Sequence, residues 1–252
     1  MTYLPKLNTI YIGYDPKEHT YYKVLVDSIK ANTKDTYNIV PIIQHNVRKI
    51  GMYWRSYAIN EDGVRVDSFD GKPFSTEFSF TRFLVPFLNQ GSGYALFMDS
   101  DMYVRSDISE VFDRYASSRT AVSVVTHNYK PTDTVKMDGQ VQQNYSRKNW
   151  SSFVLWNCDH PANDRLTVAD VSTKTGGWLH GFDWLESDEI GSISPEWNWL
   201  DGHSPEEVEA KNVHFTTGGP MFPTWKAKRD IDNEYATEWR KLQINMLQKE
   251  EQ

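Results

Sequence analysis

Short apolar runs alternate with amphipathic stretches in the first part of the chain. Residues 8–16 form a mostly apolar run that ends in Gly-Tyr-Asp-Pro, which predicts a strand followed by a turn. Residues 17–32 carry apolar side chains near helical spacing, and residues 38–43 are again apolar. The order strand, helix, strand is typical of a parallel α/β sheet, in which ligands bind at the carboxyl ends of the strands.

Residues 93–104 contain an apolar run that ends in a pair of acids, and this pair is the centre of the predicted site. An uncharged apolar run ends here in Asp99 and Asp101, which predicts a buried parallel strand whose carboxyl end opens onto a polar site. Two carboxylates separated by one residue share a face of a strand and can reach one divalent cation, which in turn can hold a diphosphate. We expect Tyr14 and Asp15 to lie on the same edge of the sheet.

Acidic pairs with this spacing also occur in solvated turns and at helix caps. Asp107, just before the helical stretch 108–112, is itself typical of a helix N-cap. The pair alone therefore leaves both interpretations open, and the uncharged strand upstream of Asp99 favours a metal or phosphate site.

A charged side chain interrupts the next apolar segment. Residues 44–74 are polar with three glycines and predict an irregular excursion. Residues 75–88 combine a capping serine, an early acid and an apolar stripe, so we expect a helix that bends or ends at its proline. Arg82 on this helix needs a partner, which is either Glu77 or a carboxylate on the Asp99 side of the pocket.

The second half of the chain continues with short elements and polar loops. His214 lies where a strand runs into a glycine turn, a position that can present a metal or phosphate ligand, although a lone histidine is more often structural. Residues 176–185 mix glycine, aromatic, histidine and acidic side chains, which favours a binding loop. The other predicted elements are a helix at 108–116, a strand at 120–127, a loop at 128–147, a strand at 150–158, a helix at 166–172 and a helix at 231–252.

The composition restricts the partners and the compartment. The 252 residues carry a formal net charge of −7, so no global basic field attracts nucleic acid or an anionic membrane. A single cysteine, Cys158, excludes an intrachain disulfide and suits a reducing compartment. No stretch approaches the ~18 apolar residues of a membrane span, and the N-terminus lacks a signal-peptide pattern. We therefore expect a soluble, cytoplasmic protein without a transmembrane segment.

The order of these motifs resembles a known family. Gly13-Tyr14-Asp15, Arg82, Asp99-Ser100-Asp101 and His214-Phe215 with glycines after it are similar to the GT-A glycosyltransferases, especially the retaining family 8 of glycogenin and bacterial galactosyltransferases. The resemblance covers about residues 8–225. A bacterial and viral branch looks closest, on the motifs at 75–78, 136–139, 148–152, 196–199 and 215–220.

The resemblance implies a fold and a ligand set. The fold would be a single α/β domain over residues 1–252, with a mostly parallel central sheet flanked by helices, a core at 8–225 and a C-terminal helix. The ligand would be a nucleotide-diphosphate sugar, most often a UDP-sugar, held with Mn²⁺ or Mg²⁺. The implied metal ligands are Asp99, Asp101 and His214. The implied donor-binding residues are Tyr14 and Asp15 at the nucleobase end, Arg82, Ser100, Gly218 and Gly219.

Two departures from the family pattern affect the site. Relatives often carry a phosphate-binding lysine after the glycine that follows the metal histidine, whereas this chain has Gly218-Gly219-Pro220-Met221. The two glycine amides, or Lys226 and Lys228, are the candidate replacements. A glutamine-containing motif of relatives reads His180-Gly181-Phe182-Asp183 here, and Asp183 is a candidate catalytic residue beside Arg82.

The sequence and the resemblance together favour a metal-dependent, retaining glycosyltransferase that transfers a sugar to a hydroxyl acceptor, for which we expect a glycan. One alternative is a transferase acting on hydroxylated bases of phage DNA, against which the acidic charge counts. Another is a noncatalytic nucleotide-sugar-binding protein. A hydrolase with paired acids fits least, because its carboxylates flank a sugar and need no metal-binding histidine.

Overall fold

The computed structural model describes residues 8–117, 119–127, 147, 149–223, 225 and 233–250. The described strands are β1 (Thr9–Tyr14), β2 (Asn38–Ile43), β3 (Tyr57–Ile59), β4 (Arg65–Asp67), β5 (Pro73–Phe74), β6 (Tyr94–Met98), β7 (Met102–Val104), β8 (Val122–Val125), β9 (Phe153–Asn157), β10 (Ile190–Ile193), β11 (Trp199–Leu200) and β12 (Asn212–His214). The described α-helices are α1 (His19–Asn32), α2 (Gln44–Lys49), α3 (Val85–Leu88), α4 (Ser109–Tyr115), α5 (Val168–Thr173), α6 (Gly176–His180) and α7 (Glu234–Glu250).

Short 3₁₀ turns connect several of these elements. They lie at Pro16–Glu18, Thr81–Leu84, Trp150–Ser152, Pro161–Arg165, Ser187–Glu189 and Pro195–Asn198. Most of the predicted loop at 128–147, the motif at 136–139, Lys148, Lys226 and Lys228 lie outside the described residues.

A six-stranded sheet in the order β10-β8-β9-β6-β1-β2 forms the centre of the described fold. Its neighbours pair in parallel except β9, which runs antiparallel to both β6 and β8. Ile12 of β1 is in register with Met98 of β6, so both strands end at the same edge. The predicted fold class, a mostly parallel sheet flanked by helices, is confirmed.

The central sheet is buried on both faces. Ala95 and Phe97 of β6 pack in one hydrophobic cluster, whereas Leu96 and Met98 pack in another, because alternate residues of a strand point to opposite faces. Helices α1 and α4 cover the second cluster. This burial accounts for the uninterrupted apolar run: a polar side chain becomes tolerable only where β6 leaves the sheet, at Asp99.

A second, smaller sheet places β12 beside the end of β6. It has the order β11-β12-β7, and β7 pairs antiparallel with β12. Helix α7 packs against this sheet through the fully buried Trp239. Its Glu238 carboxylate accepts hydrogen bonds from Tyr103 at 2.9 Å and from the Arg105 guanidinium at 2.8 Å. The predicted C-terminal helix is thus tied to the strand that follows the acidic pair.

The prediction of an irregular excursion at residues 44–74 is wrong. The segment contains α2 and a three-stranded antiparallel sheet of β3, β4 and β5. Gly63 and Gly71 adopt left-handed φ angles of +77° and +68° between these strands, which glycine adopts without strain. The strands are only two or three residues long, too short for an alternating pattern to be visible in the sequence.

One buried ion pair anchors this three-stranded sheet. The Arg55 guanidinium lies 2.6 Å from the Asp67 carboxylate, and both side chains are 1% exposed. Arg55 also donates to the carbonyl oxygens of Val171 and Lys174, at the C-terminal end of α5. The small sheet is therefore attached to α5.

The continuous helix predicted at residues 75–88 is also wrong. Turns occupy 77–80, followed by the 3₁₀ segment Thr81–Leu84 and the single turn α3. The Ser79 hydroxyl contacts the Thr76 backbone and hydroxyl, a local contact that competes with helix formation. Pro86, which is predicted to bend or end the helix, instead lies in the first turn of α3, where its missing N–H costs nothing.

Among the described residues, no helix combines the length and the apolar content needed to cross a membrane.

We predict that Gly13→Ala destabilises the fold, because a Cβ at this position of β1 would overlap the Phe78 ring. Overpacking of this kind typically lowers the free energy of unfolding by ~1–3 kcal/mol. The matched control is Gly177→Ala in α6, where a Cβ meets nothing within 4 Å and the substitution favours the helix. Urea denaturation checks both, and equal stability of the two variants would contradict the packing assigned to Phe78.

Candidate active site

A pocket opens at the carboxyl ends of β1 and β6. Its lining comes from two groups of elements. The strand-end side of the lining, with the loops beside it, contributes Glu18, Asp99, Asp101, Asn149, Ser151, Ser152, His214, Thr216 and Gly218. The small sheet, the turns and the 3₁₀ segment that follow it, and α6 contribute Arg82, Asp70, Lys72, Phe74, Thr76, Ser79, Phe80, Gly176 and His180.

Asp99, Asp101 and His214 meet on the strand-end side. One candidate ligand atom from each lies within 4.8 Å of the others. The β7–β12 pairing produces this arrangement, because His214 is in register with Met102 and the Phe215 amide donates to the Asp101 carbonyl at 2.9 Å. His214 Nε2 then lies 3.2 Å from the Asp101 carboxylate. Two carboxylates and one imidazole suit Mn²⁺ well, whereas Mg²⁺ prefers an all-oxygen shell.

The partner of Arg82 is Asp99. Its guanidinium lies 2.8 Å from the Asp99 carboxylate and donates to the Ser151 carbonyl at 3.0 Å. The guanidinium carbon also lies 5.4 Å from the centre of the Phe78 ring. The alternative partner, Glu77, pairs with Arg65 instead. Arg82 is only 7% exposed, so it fixes the orientation of Asp99 from inside the protein.

Asp15 is occupied by structural contacts. Its carboxylate accepts hydrogen bonds from the backbone amides of Lys17 at 2.9 Å and Glu77 at 3.0 Å, and it lies 3.3 Å from the Arg65 guanidinium. The residue is 2% exposed. Burial and the charge of Asp15 raise the pKa of Glu77. Asp15 therefore holds the 75–80 turns against the end of β1.

Tyr14 and Ser100 lie beside the pocket rather than in its wall. The Tyr14 hydroxyl is 3.1 Å from His19 Nδ1, and its ring makes an edge contact with Tyr22. The Ser100 side chain is fully buried and donates a hydrogen bond to Glu18 at 2.5 Å. Glu18 does line the pocket. The donor-binding roles of Tyr14, Asp15 and Ser100 stay predictions.

Gly218 and Gly219 form the turn after β12. The Gly218 amide donates to the Phe215 carbonyl at 2.9 Å, and its φ of +101° requires glycine. A Cβ on Gly219 would overlap the Tyr21 hydroxyl and the Phe215 side chain. Backbone conformation therefore accounts for Gly218, and packing accounts for Gly219. Among the described residues, the lysine that lines the pocket is Lys72.

The 176–185 segment is a short helix and turns rather than a loop. His180, at the end of α6, lines the pocket, and its Nδ1 lies 2.7 Å from the Ser151 hydroxyl. Asp183 is exposed and is not among the pocket-lining residues. Phe182 before it is buried and takes a left-handed φ of 52°. The catalytic role of Asp183 stays a prediction.

Several pocket residues were not identified from the sequence. Lys72 lines the pocket because of the small sheet, whose short strands the pattern does not show, whereas His180 belongs to the segment 176–185 that the sequence predicts as a binding loop. Asn149 and Ser152 lie within the motif at 148–152, to which the sequence assigns no role. His127 lies just after β8, and burial, together with the neighbouring His214, lowers the pKa of its imidazole to about 3.

A plant protein is similar over most of the sequence. The chain is 44% identical to Protein CDI of Arabidopsis thaliana over 235 residues, which make up 91% of this chain and 83% of the plant protein. The chain belongs to the Protein CDI family. The match covers 91% of the chain, so the similarity extends well beyond the strand that carries Asp99 and Asp101. No family model matches the chain.

Solved glycosyltransferases share the fold. The bifunctional glycosyltransferase WbbM aligns with a TM-score of 0.58 and 14% identity over 97% of this chain, which spans only 53% of WbbM. The galactosyltransferase LgtC, solved with donor and acceptor sugar analogues, gives 0.56 and 13% identity over 94% of this chain and 95% of LgtC. GlyE of Streptococcus pneumoniae gives 0.56 and 11% identity over 94% of this chain and 60% of GlyE. These likenesses show that this Protein CDI family member has the GT-A fold.

We predict that Asp101→Asn weakens Mn²⁺ binding by more than about 100-fold, because loss of an outer-shell partner already costs 10–100-fold and Asp101 would be a direct ligand. The matched control is Asp113→Asn on the exposed face of α4, which removes the same charge away from the pocket. Isothermal titration calorimetry measures both, with circular dichroism to verify folding. Wild-type affinity in Asp101→Asn would exclude Asp101 as a ligand.

Proposed function

We propose that this protein is a metal-dependent retaining glycosyltransferase. It would transfer a sugar from a nucleotide-diphosphate sugar, for which we propose a UDP-sugar, to a hydroxyl acceptor such as a glycan. The observation that carries this proposal is the convergence of Asp99, Asp101 and His214 in a pocket at the carboxyl ends of a GT-A sheet. The finer placement, in family 8 and its bacterial and viral branch, rests on motif order, and the relative that shows the family is a plant protein.

The three candidate ligands would hold Mn²⁺, or less favourably Mg²⁺, against the diphosphate of the donor. When bound, such an ion stabilises the negative charge that develops on the leaving diphosphate. The role of Arg82 would be to keep the Asp99 carboxylate in place, which its contacts with the Ser151 and Phe78 carbonyls support. In retention by front-face attack, the protein needs to supply no nucleophile, so its contribution is to position donor and acceptor.

The two groups of pocket-lining residues differ in chemistry, which supports separate binding positions for the donor and the acceptor. The strand ends contribute Asp99 and Asp101, whereas the small sheet, the turns after it and α6 contribute aromatic and polar groups such as Phe80, His180 and Lys72, together with one acid, Asp70. Aromatic faces beside polar groups are suited to sugar rings. The acceptor would therefore bind against the wall built by the small sheet and α6. Tyr14 and Asp15 would lie toward the nucleobase, with the turn at Gly218 and Gly219 next to the phosphates.

We predict that the purified protein slowly releases free nucleotide from one member of a panel of UDP-, GDP- and TDP-sugars, since hydrolysis of the donor needs no acceptor. Release should require Mn²⁺ and stop with a chelator. Asp101→Asn should lower it by about 100-fold or more, as expected when charge stabilisation of the leaving group is lost. Metal-dependent nucleotide binding without release in any condition, even with oligosaccharide acceptors, would instead indicate a noncatalytic nucleotide-sugar-binding protein.

A catalytic role of Asp183 predicts a different pattern of losses. Asp183→Asn should lower nucleotide release and sugar transfer while leaving Mn²⁺ affinity at the wild-type value, because Asp183 is exposed and lies outside the metal cluster. Single-turnover rates measured with saturating donor check this. Unchanged rates would remove Asp183 from the mechanism without affecting the metal assignment.

A further inference from the structure

Asn198 connects the candidate metal ligand His214 to the 149–152 loop. It is fully buried and ends the 3₁₀ turn Pro195–Asn198. Its side-chain oxygen lies 2.9 Å from His214 Nδ1. Its side-chain nitrogen lies 2.9 Å from the Ser152 hydroxyl and 3.4 Å from the Asn149 carbonyl. All four residues are buried, and buried polar groups of this kind need hydrogen-bond partners.

The hydrogen-bond partners fix the orientation of the Asn198 amide. The Asn149 carbonyl can only accept, and the Ser152 hydroxyl already donates its hydrogen to that same carbonyl at 2.6 Å. Both groups therefore require the NH₂ end of Asn198. The carbonyl end of the amide must then face His214, where it can only accept. It follows that His214 Nδ1 carries a hydrogen.

This tautomer has a direct consequence at the other nitrogen. A neutral histidine with its hydrogen on Nδ1 presents an unprotonated Nε2, which is the atom 3.2 Å from the Asp101 carboxylate. A nitrogen lone pair and a carboxylate oxygen repel each other unless a cation lies between them. The opposite tautomer would instead point an N–H at Asp101 and would be unable to ligate a metal.

We infer that Asn198 is a positioning residue, which holds His214 in the Nδ1–H tautomer and aims its Nε2 at the metal. This inference rests on the proposed metal-dependent function and deepens it by naming what prepares the nitrogen ligand. Outer-shell hydrogen bonds to a ligating imidazole fix its tautomer and its ring orientation, and their loss typically costs 10–100-fold in metal affinity. The site is therefore prepared for cations that accept an imidazole ligand, such as Mn²⁺.

The first test reads the tautomer without any metal. Long-range ¹H–¹⁵N correlation spectra of the metal-free protein, with neutral ¹⁵N-labelled histidines, report which ring nitrogen carries the hydrogen. The His214 signals are assigned by their loss in His214→Gln. We expect a protonated Nδ1 and a bare Nε2. A protonated Nε2 in the wild-type protein would overturn the inference whether or not the protein is a transferase.

The second test compares three variants by Mn²⁺ affinity, measured from the electron paramagnetic resonance signal of free Mn²⁺. Asn198→Leu removes the acceptor for His214 and should weaken binding by about 10–100-fold. Asn198→Asp keeps an acceptor for His214 Nδ1, and the Ser152 hydroxyl can turn to donate to the new carboxylate. It should therefore retain the Nδ1–H tautomer and recover most of the lost affinity.

The control is Asn212→Leu, since Asn212 is equally buried and its side-chain nitrogen donates to the Trp197 carbonyl of the same turn and to the Met102 sulfur rather than to His214. It should lose stability but keep Mn²⁺ affinity. Equal losses of affinity in Asn212→Leu and Asn198→Leu would show that Asn198 is merely structural. If Asn198→Leu does not fold, the wild-type tautomer and the affinity of Asn198→Asp still decide. Absence of Mn²⁺ binding in the wild type, with the Nδ1–H tautomer present, would count against the proposed function and not against the tautomer.

Discussion

The antiparallel pairing of β7 with β12 is the constraint on which the site depends. The two carboxylates arrive together, because they lie at the end of one strand, but the histidine comes from a distant part of the sequence. Its position is fixed by the register of His214 with Met102 and by the hydrogen bond from the Phe215 amide to the Asp101 carbonyl. Helix α7 supports this pairing through Glu238, which binds Tyr103 and Arg105 on and next to β7.

Charge balance at the end of β6 is a second requirement. Two carboxylates this close would repel each other, and burial makes that repulsion larger. Arg82 offsets it by pairing with Asp99 from within the protein, and the carbonyl oxygens of Phe78 and Ser151 share its remaining hydrogens. A buried guanidinium with these partners has little freedom to move, so the carboxylate it contacts is held in one orientation.

The strand ends were predictable because burial leaves a strong signal in the sequence. β1 and β6 contain almost no polar side chains in the core, so the first acids after them mark the edge of the sheet, and a parallel register brings the two edges together. The meeting of His214 with Asp99 and Asp101 was predicted only through the family resemblance, because nothing local specifies the β7–β12 pairing. The small sheet was missed since its strands are too short to show a period, and Asn198 since a buried hydrogen bond leaves no pattern along the chain.

The attachment of the small sheet through Arg55 and Asp67 gives part of the pocket lining an anchor of its own. This sheet is anchored to α5 by the buried ion pair and its bonds to the Val171 and Lys174 carbonyls, whereas the acids belong to the central sheet. The small sheet also meets the central sheet, where Arg65 of β4 pairs with Asp15 at the end of β1. Changes in its hairpins that keep both attachments would alter the outline of the pocket and leave the register of the strand ends intact.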